Sequence, residues 1–96
     1  MDSWRTRAPM PTPRSGVAAA VLDGEILVFG GEATTGTFDE VEGYDPGSDS
    51  WRSYAPMPTA RHGLGAAVVM GDRVHVIAGG PRPGGSYSNL NEIFSR

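Results

Sequence analysis

The sequence predicts an all-β protein built from two copies of one unit. Three observations support this: residues 51–61 nearly repeat residues 4–14, the apolar runs are short and rich in valine, and glycine pairs end several of them. The matching segments begin at Trp4 and Trp51, which lie 47 residues apart. A repeat of this length is typical of solenoids and propellers, whose units bury their apolar faces only by stacking on neighbours.

Each unit is predicted to contain four antiparallel strands, because no segment has the apolar spacing of a helix. In the first unit, strand A covers residues 17–22 and strand B covers residues 26–29, with Asp23-Gly24 as the hairpin turn between them. Strand C covers residues 39–44, and strand D begins at Trp51. The second unit repeats this order, with its first three strands at residues 64–70, 74–78 and 89–94.

The composition argues against several classes of protein. The 96 residues contain no cysteine, so neither a disulfide framework nor a thiolate metal site is expected. The net charge of −3 gives no reason to expect nucleic acid as a partner. The apolar runs at 17–22 and 64–70 are too short to cross a membrane, and the lack of disulfides suits a cytoplasmic protein.

The order of the motifs resembles the kelch repeat. In the first unit, Gly30-Gly31 follow strand B, Tyr44 lies on strand C, and Trp51 follows Tyr44 after six intervening residues. The second unit offers Gly79-Gly80 and Phe94, although alignment of the two units places the glycine pair on Ala78-Gly79. The resemblance implies that each repeat forms one four-stranded blade of a β-propeller, commonly with about six or seven blades.

The resemblance and the repeat together define a set of structural residues. These are Trp4, Arg14, Gly30, Gly31, Glu42, Tyr44, Trp51, Arg61, Gly79, Gly80, Glu92 and Phe94. Arg14 and Arg61 take equivalent places before strand A, and Glu42 and Glu92 take equivalent places on strand C. We expect these arginines and glutamates to pair, or to cap backbone groups, within or between blades.

The two kelch repeats span residues 1–96, with blade one at 14–56 and an incomplete blade two at 61–96. Residues 4–8 are expected to form an outer strand that closes the blade of a neighbouring chain. A single chain would expose sheet edges and apolar blade faces, which an assembly of identical chains would cover. The sequence therefore predicts a homo-oligomer, with a trimer of two-bladed chains giving a ring of six blades.

The expected function is that of a self-assembling structural or binding scaffold, and not that of an enzyme. Kelch propellers often bind ligands at the channel mouth, which implies a candidate binding face formed by Ser15, Gly16, Glu32, His62 and Gly63. The long loops at 33–38 and 81–88 should lie nearby, and the ligand is expected to be a protein or a glycan. The alternative is a fragment of a glycan-binding or sugar-active kelch propeller, and the chain could be designed or cut from a longer one.

No cofactor or metal is expected. His62 and His75 are the only imidazoles, whereas typical metal sites need three or four ligands. A three-chain ring could bring three copies of His62 towards the channel mouth, but the copies are expected to lie too far apart. The glycine-rich residues 79–85 lack the lysine and helix of a phosphate loop, so a flexible loop between strands B and C is expected.

Overall fold

The computed structural model describes residues 2–64 and 66–96 of the chain. These residues form two antiparallel sheets and one short hairpin, as the all-β prediction requires. Within the same residues there is no helix that has the length and apolarity needed to cross a membrane.

Blade one is a four-stranded sheet with the order β1-β2-β5-β6. Its strands are β1 (Ala18–Leu22), β2 (Glu25–Phe29), β5 (Val41–Asp45) and β6 (Ser50–Ser53). The turn between β1 and β2 has positive φ at both Asp23 (51°) and Gly24 (74°). Positive φ at both central residues belongs to the hairpin turn whose twist matches that of the flanking strands, which explains why this dipeptide marks the turn.

A short hairpin occupies part of the stretch predicted as a loop between strands B and C. It consists of β3 (Glu32–Ala33) and β4 (Gly36–Thr37), which pair antiparallel to each other. The Thr37 hydroxyl donates to the backbone oxygen of Pro81, 3.0 Å away, so the hairpin is tied to the corresponding loop of the second unit.

Blade two contains three strands among the described residues, in the order β7-β8-β9. They are β7 (Ala66–Met70), β8 (Arg73–Ile77) and β9 (Asn91–Ser95). Residues 2–10 form no strand in the isolated chain, and Trp4 is 98% exposed. The expected role of residues 4–8 as the outer strand of a neighbour's blade therefore stays a prediction.

Each blade has two faces, since side chains alternate along a strand. We call the face that bears Glu42 in blade one, or Glu92 in blade two, the front face, and the opposite one the back face. The back face of blade one packs against the front face of blade two, and we call this contact the inner joint. Its apolar core contains Leu22, Leu27, Phe29, Val41, Met57, Val74 and Val76, with the Phe94 ring edge-on to Phe29 at 6.0 Å.

The two remaining faces are exposed in the isolated chain. On the front face of blade one, residues 7–14 cover Glu42 and Tyr44 but leave Val21 62% exposed. On the back face of blade two, Met70 is 64% and Ile93 53% exposed. Exposed apolar residues that follow the surface of a sheet are typical of an interaction face.

The structure decides between the two placements of the second unit's glycine pair and agrees with the alignment of the units. Ala78 has φ 66°, close to the 64° of Gly30, and the N–H groups of both donate to strand C backbone oxygens, from Gly30 to Glu40 and from Ala78 to Leu90. The equivalent of Gly30-Gly31 is therefore Ala78-Gly79. Gly80 is the counterpart of Glu32, because both exchange backbone hydrogen bonds with the residue after the motif arginine. The pair Gly79-Gly80 was shifted by one residue because a glycine follows the pair only in this unit.

Candidate functional site

A buried arginine lies at the centre of each blade's front face. Arg14 donates from Nη2 to Glu42 at 2.8 Å, and its side chain has no exposed surface. Its Nη1 donates to the backbone oxygens of Gly30 at 2.5 Å and Glu40 at 3.1 Å. The arginine thus combines a charge pair with hydrogen bonds to two strand ends, although its buried Nε has no hydrogen-bond partner among the described residues.

Arg61 repeats this arrangement in blade two. Its Nη2 donates to Glu92 at 2.8 Å and its Nη1 donates to the backbone oxygen of Ala78 at 2.6 Å. A threonine two residues earlier completes each pair, since Thr12 donates to Glu42 and Thr59 to Glu92. Burial and the hydrogen bonds from both Nη atoms give these arginines a structural role, with little surface left for a ligand.

The candidate binding face forms one end of both blades, where the loops before strand A meet the ends of strand B. Ser15 exchanges backbone hydrogen bonds with Glu32, and His62 does so with Gly80. The N–H of Gly63 donates to the oxygen of Gly16 at 2.7 Å, which links the two units. The residues that the resemblance placed at this face are therefore neighbours in the structure.

Glu32 is the polar centre of this face. One carboxylate oxygen lies 3.0 Å from Nδ1 of His62, and the other accepts from the N–H of Gly84 at 3.0 Å. The second ring nitrogen of His62 lies 2.8 Å from the backbone oxygen of Arg82. His62 is buried, so it braces the loop of the second unit, while Ser15, Gly16 and Gly63 remain exposed to a ligand.

The contacts of His62 also bear on metal binding. Both of its ring nitrogens already face oxygen acceptors. Among residues 2–64 and 66–96, no group of three or more histidine, cysteine, aspartate or glutamate side chains is arranged to hold a metal ion. His75 lies apart from His62, on the back face of blade two, beside the Asn91 amide.

A second polar cluster lies at the opposite end of the inner joint, and sequence reasoning missed it. Glu25, on β2, is buried and accepts hydrogen bonds from Arg52 at 3.1 Å and from the Tyr54 hydroxyl at 2.5 Å. Arg96, beyond β9, reaches the same carboxylate from blade two. We call these four residues the Glu25 cluster. Three of them, Glu25, Arg52 and Arg96, border a cleft of about 350 Å³, which Asp23 and Asp45 also line.

The charges of the Glu25 cluster determine its ionisation. Burial alone would raise the pKa of Glu25, but the hydrogen bonds from Arg52 and Tyr54 and the charges of Arg52 and Arg96 outweigh it, so the pKa lies below its ordinary value. Burial and the hydrogen bond to Glu25 raise the pKa of Tyr54. The sequence carried no signal for this cluster, because its members come from distant segments and the second unit has Arg73 in place of Glu25.

A comparison with protein families identifies the first unit. The kelch motif matches residues 13–58, which contain blade one and its buried arginine–glutamate pair. Residues 13–58 are a kelch repeat. The second unit repeats its strand order, its arginine–glutamate pair and its backbone contacts, and the chain is an all-β segment that matches part of a kelch propeller.

Two similar proteins place this kelch segment in a larger context. Human Kelch-like protein 30 is 53% identical over 47 residues, which is 49% of this chain and 8% of that protein. The structure of YjhT matches with a TM-score of 0.71 and 27% sequence identity, over 80% of this chain and 24% of that one. The chain therefore spans only a small part of the length of either.

Proposed function

We propose that this kelch segment is a self-assembling scaffold that presents a ligand-binding end face. The observation that carries the proposal is the inner joint, in which the back face of one blade packs on the front face of the next. The front face of blade one and the back face of blade two repeat these two surfaces and are exposed. The chain thus has both halves of a second joint of the same kind.

Copies of the chain can supply the missing partner for each exposed face. Such a contact is head-to-tail, because different surfaces meet on the two chains, and head-to-tail contacts close into rings when the rotation permits. Three two-bladed chains would complete a ring of six blades. In that ring residues 4–8 of one chain would pair beside β9 of the next. Trp4 would then pack on Phe94 as Trp51 packs on Tyr44, where the ring centroids are 5.1 Å apart.

The binding role rests on the end face around Glu32. Ser15, Gly16 and Gly63 are exposed there, and Glu32, Ala33, Pro83 and Gly84 line a shallow depression together with Ser15. A ring would repeat this polar surface around one channel mouth. We propose a protein or glycan ligand at this face, with no catalytic step and no cofactor.

The mass of the protein in solution tests the proposal. Analytical ultracentrifugation at micromolar concentration should give three times the 10.1 kDa of one chain. Met70→Glu should reduce the mass to that of a monomer, because it puts a charge on the back face of blade two. Thr35→Glu is the matched control, since it adds the same charge in the exposed turn between β3 and β4. A folded wild-type monomer would refute self-assembly.

A further inference from the structure

The inner joint is held at one end by a carboxylate that gathers cations from both blades. Glu25 forms ion pairs with Arg52 of its own blade and with Arg96 of the neighbouring blade. It also accepts a hydrogen bond from the Tyr54 hydroxyl in the connecting segment. Both guanidinium groups also lie over the Tyr54 ring, with Cζ atoms 4.9 Å and 5.5 Å from its centroid. One buried negative charge therefore attracts both cations and offsets their mutual repulsion at the joint.

The repeat shows which residues would stand in this place at a joint between two copies. Glu25 is the first residue of β2 and pairs with the last residue of β1, and Arg73 has the same register between β8 and β7. The counterpart of Arg52 is Arg5, because each directly follows the tryptophan of its unit. At a joint between two copies, Arg73 thus takes the position of Glu25, and Arg5 keeps the positive charge of Arg52.

The counterpart of Tyr54 is a third arginine, Arg7. Both lie three residues after the tryptophan of their unit. The packing agrees, since the Tyr54 ring lies 5.5 Å from Phe94 while Arg7 Nε lies 2.9 Å from the hydroxyl of Tyr44, the counterpart of Phe94. Arg5, Arg7 and Arg73 are all exposed in the isolated chain. Arg7 already contacts Tyr44, Pro46 and Asp49 of its own chain, so it would enter the joint held in place by blade one.

We propose that the joint between two copies contains an oxyanion site, in which Arg73 of one chain and Arg5 and Arg7 of the next bind a phosphate or sulfate group. The proposal rests on the self-assembly proposed above. The anion takes the place that the Glu25 carboxylate has in the inner joint. Guanidinium groups bind such ligands through paired, charge-assisted hydrogen bonds, and three of them can surround a tetrahedral anion.

The other charges near this site favour an anion of small size. Asp49 pairs with Arg7 at 3.3 Å and Asp72 precedes Arg73, so two of the three arginines have an acidic neighbour. The carboxylates of Asp23 and Asp45, which line the inner cleft, have Gly71 and Ser95 as their counterparts. The second joint thus lacks three acids of the first, and the smaller Gly71 and Ser95 leave space for a small oxyanion.

Sedimentation with inorganic phosphate as the probe tests the site. The wild-type chain is compared in millimolar phosphate and in chloride of equal ionic strength and pH, which removes general salt effects. At a phosphate concentration ten times its dissociation constant, each joint should tighten about tenfold. Arg73→Glu restores the acid and should assemble equally well in both buffers. Arg5→Gln, at an exposed side chain, should weaken the phosphate response.

The outcomes separate this inference from the scaffold on which it rests. Assembly that phosphate strengthens in the wild type, but not in Arg73→Glu, supports the site. Assembly of the wild type with the same affinity in both buffers overturns the anion site and leaves self-assembly standing. A folded monomer in every buffer, for the wild type and for Arg73→Glu, overturns both.

Discussion

Replacing Ala78 by glycine should stabilise this protein, although the change removes a methyl group. Ala78 has φ 66°, in the left-handed region that side chains with a Cβ rarely adopt. Its counterpart in blade one is Gly30, with φ 64°. The second unit therefore holds an alanine in a backbone conformation for which the first unit uses glycine.

The size of the effect follows from two opposing contributions. The left-handed conformation costs a residue with a Cβ about 1–2 kcal/mol. The greater freedom of glycine in the unfolded chain offsets about 0.4–1 kcal/mol of the strain energy that the substitution removes. The free energy of unfolding should rise by about 0.5–1 kcal/mol, because the strain is the larger contribution.

Urea denaturation at fixed protein concentration measures this change, with the midpoint as the readout. Ala67→Gly is the matched control: Ala67 lies on β7 and packs against the core, so glycine there loses a packed methyl group and should lower the stability by at least about 0.5–1 kcal/mol. Gly30→Ala is the reverse change and should destabilise, because the added Cβ would lie 2.8 Å from the Met57 methyl carbon. If Ala78→Gly lowers the midpoint as Ala67→Gly does, the backbone at Ala78 is not strained and the reasoning fails.

Three further predictions concern the joints and the end face. Glu25→Gln should lower the free energy of unfolding at neutral pH. It should also make the urea midpoint less dependent on pH in the acid range. The lowered pKa of Glu25 contributes stability that is present above its ordinary value of about 4.3 and is lost as the pH falls through the folded value. Deleting residues 1–8 should abolish assembly in sedimentation, and Trp4→Ala should cost about 3–5 kcal/mol per site if the ring is fully buried in the assembly. Elemental analysis should find no stoichiometric metal; one metal per three chains, lost in His62→Ala, would contradict this.

Much of the fold could be predicted because its signals are local. Short apolar runs rich in valine indicate the strands, and Asp23-Gly24 and Gly71-Asp72 mark the two hairpin turns. The hairpin at Glu32–Ala33 and Gly36–Thr37 was missed because strands of two residues carry no periodic pattern. The conformation of Ala78 was also beyond a sequence pattern, since alanine gives no sign of a positive φ.

The site was predictable only where it repeats. The places of Arg14 and Glu42 recur as Arg61 and Glu92, so comparison of the two units brought out both pairs. The Glu25 cluster differs between the units, and it joins residues up to 71 positions apart in the sequence. A carboxylate that neutralises arginines from two sheets can be recognised only when the packing of those sheets is known.

The differences between the units also determine which joints can form. If the front face of blade two packed on the back face of another blade two, Arg96 would meet Arg73 in place of Glu25, and two like charges would oppose each other at the joint. The inner joint gives Arg96 an acid, so the front face of blade two is selective for the back face of blade one. The exposed back face of blade two is left to the front face of blade one in another copy, the joint at which we propose that arginines bind an anion. The exchange of Glu25 for Arg73 thus disfavours one disordered mode of stacking and, in our proposal, lets an anion strengthen the remaining joint.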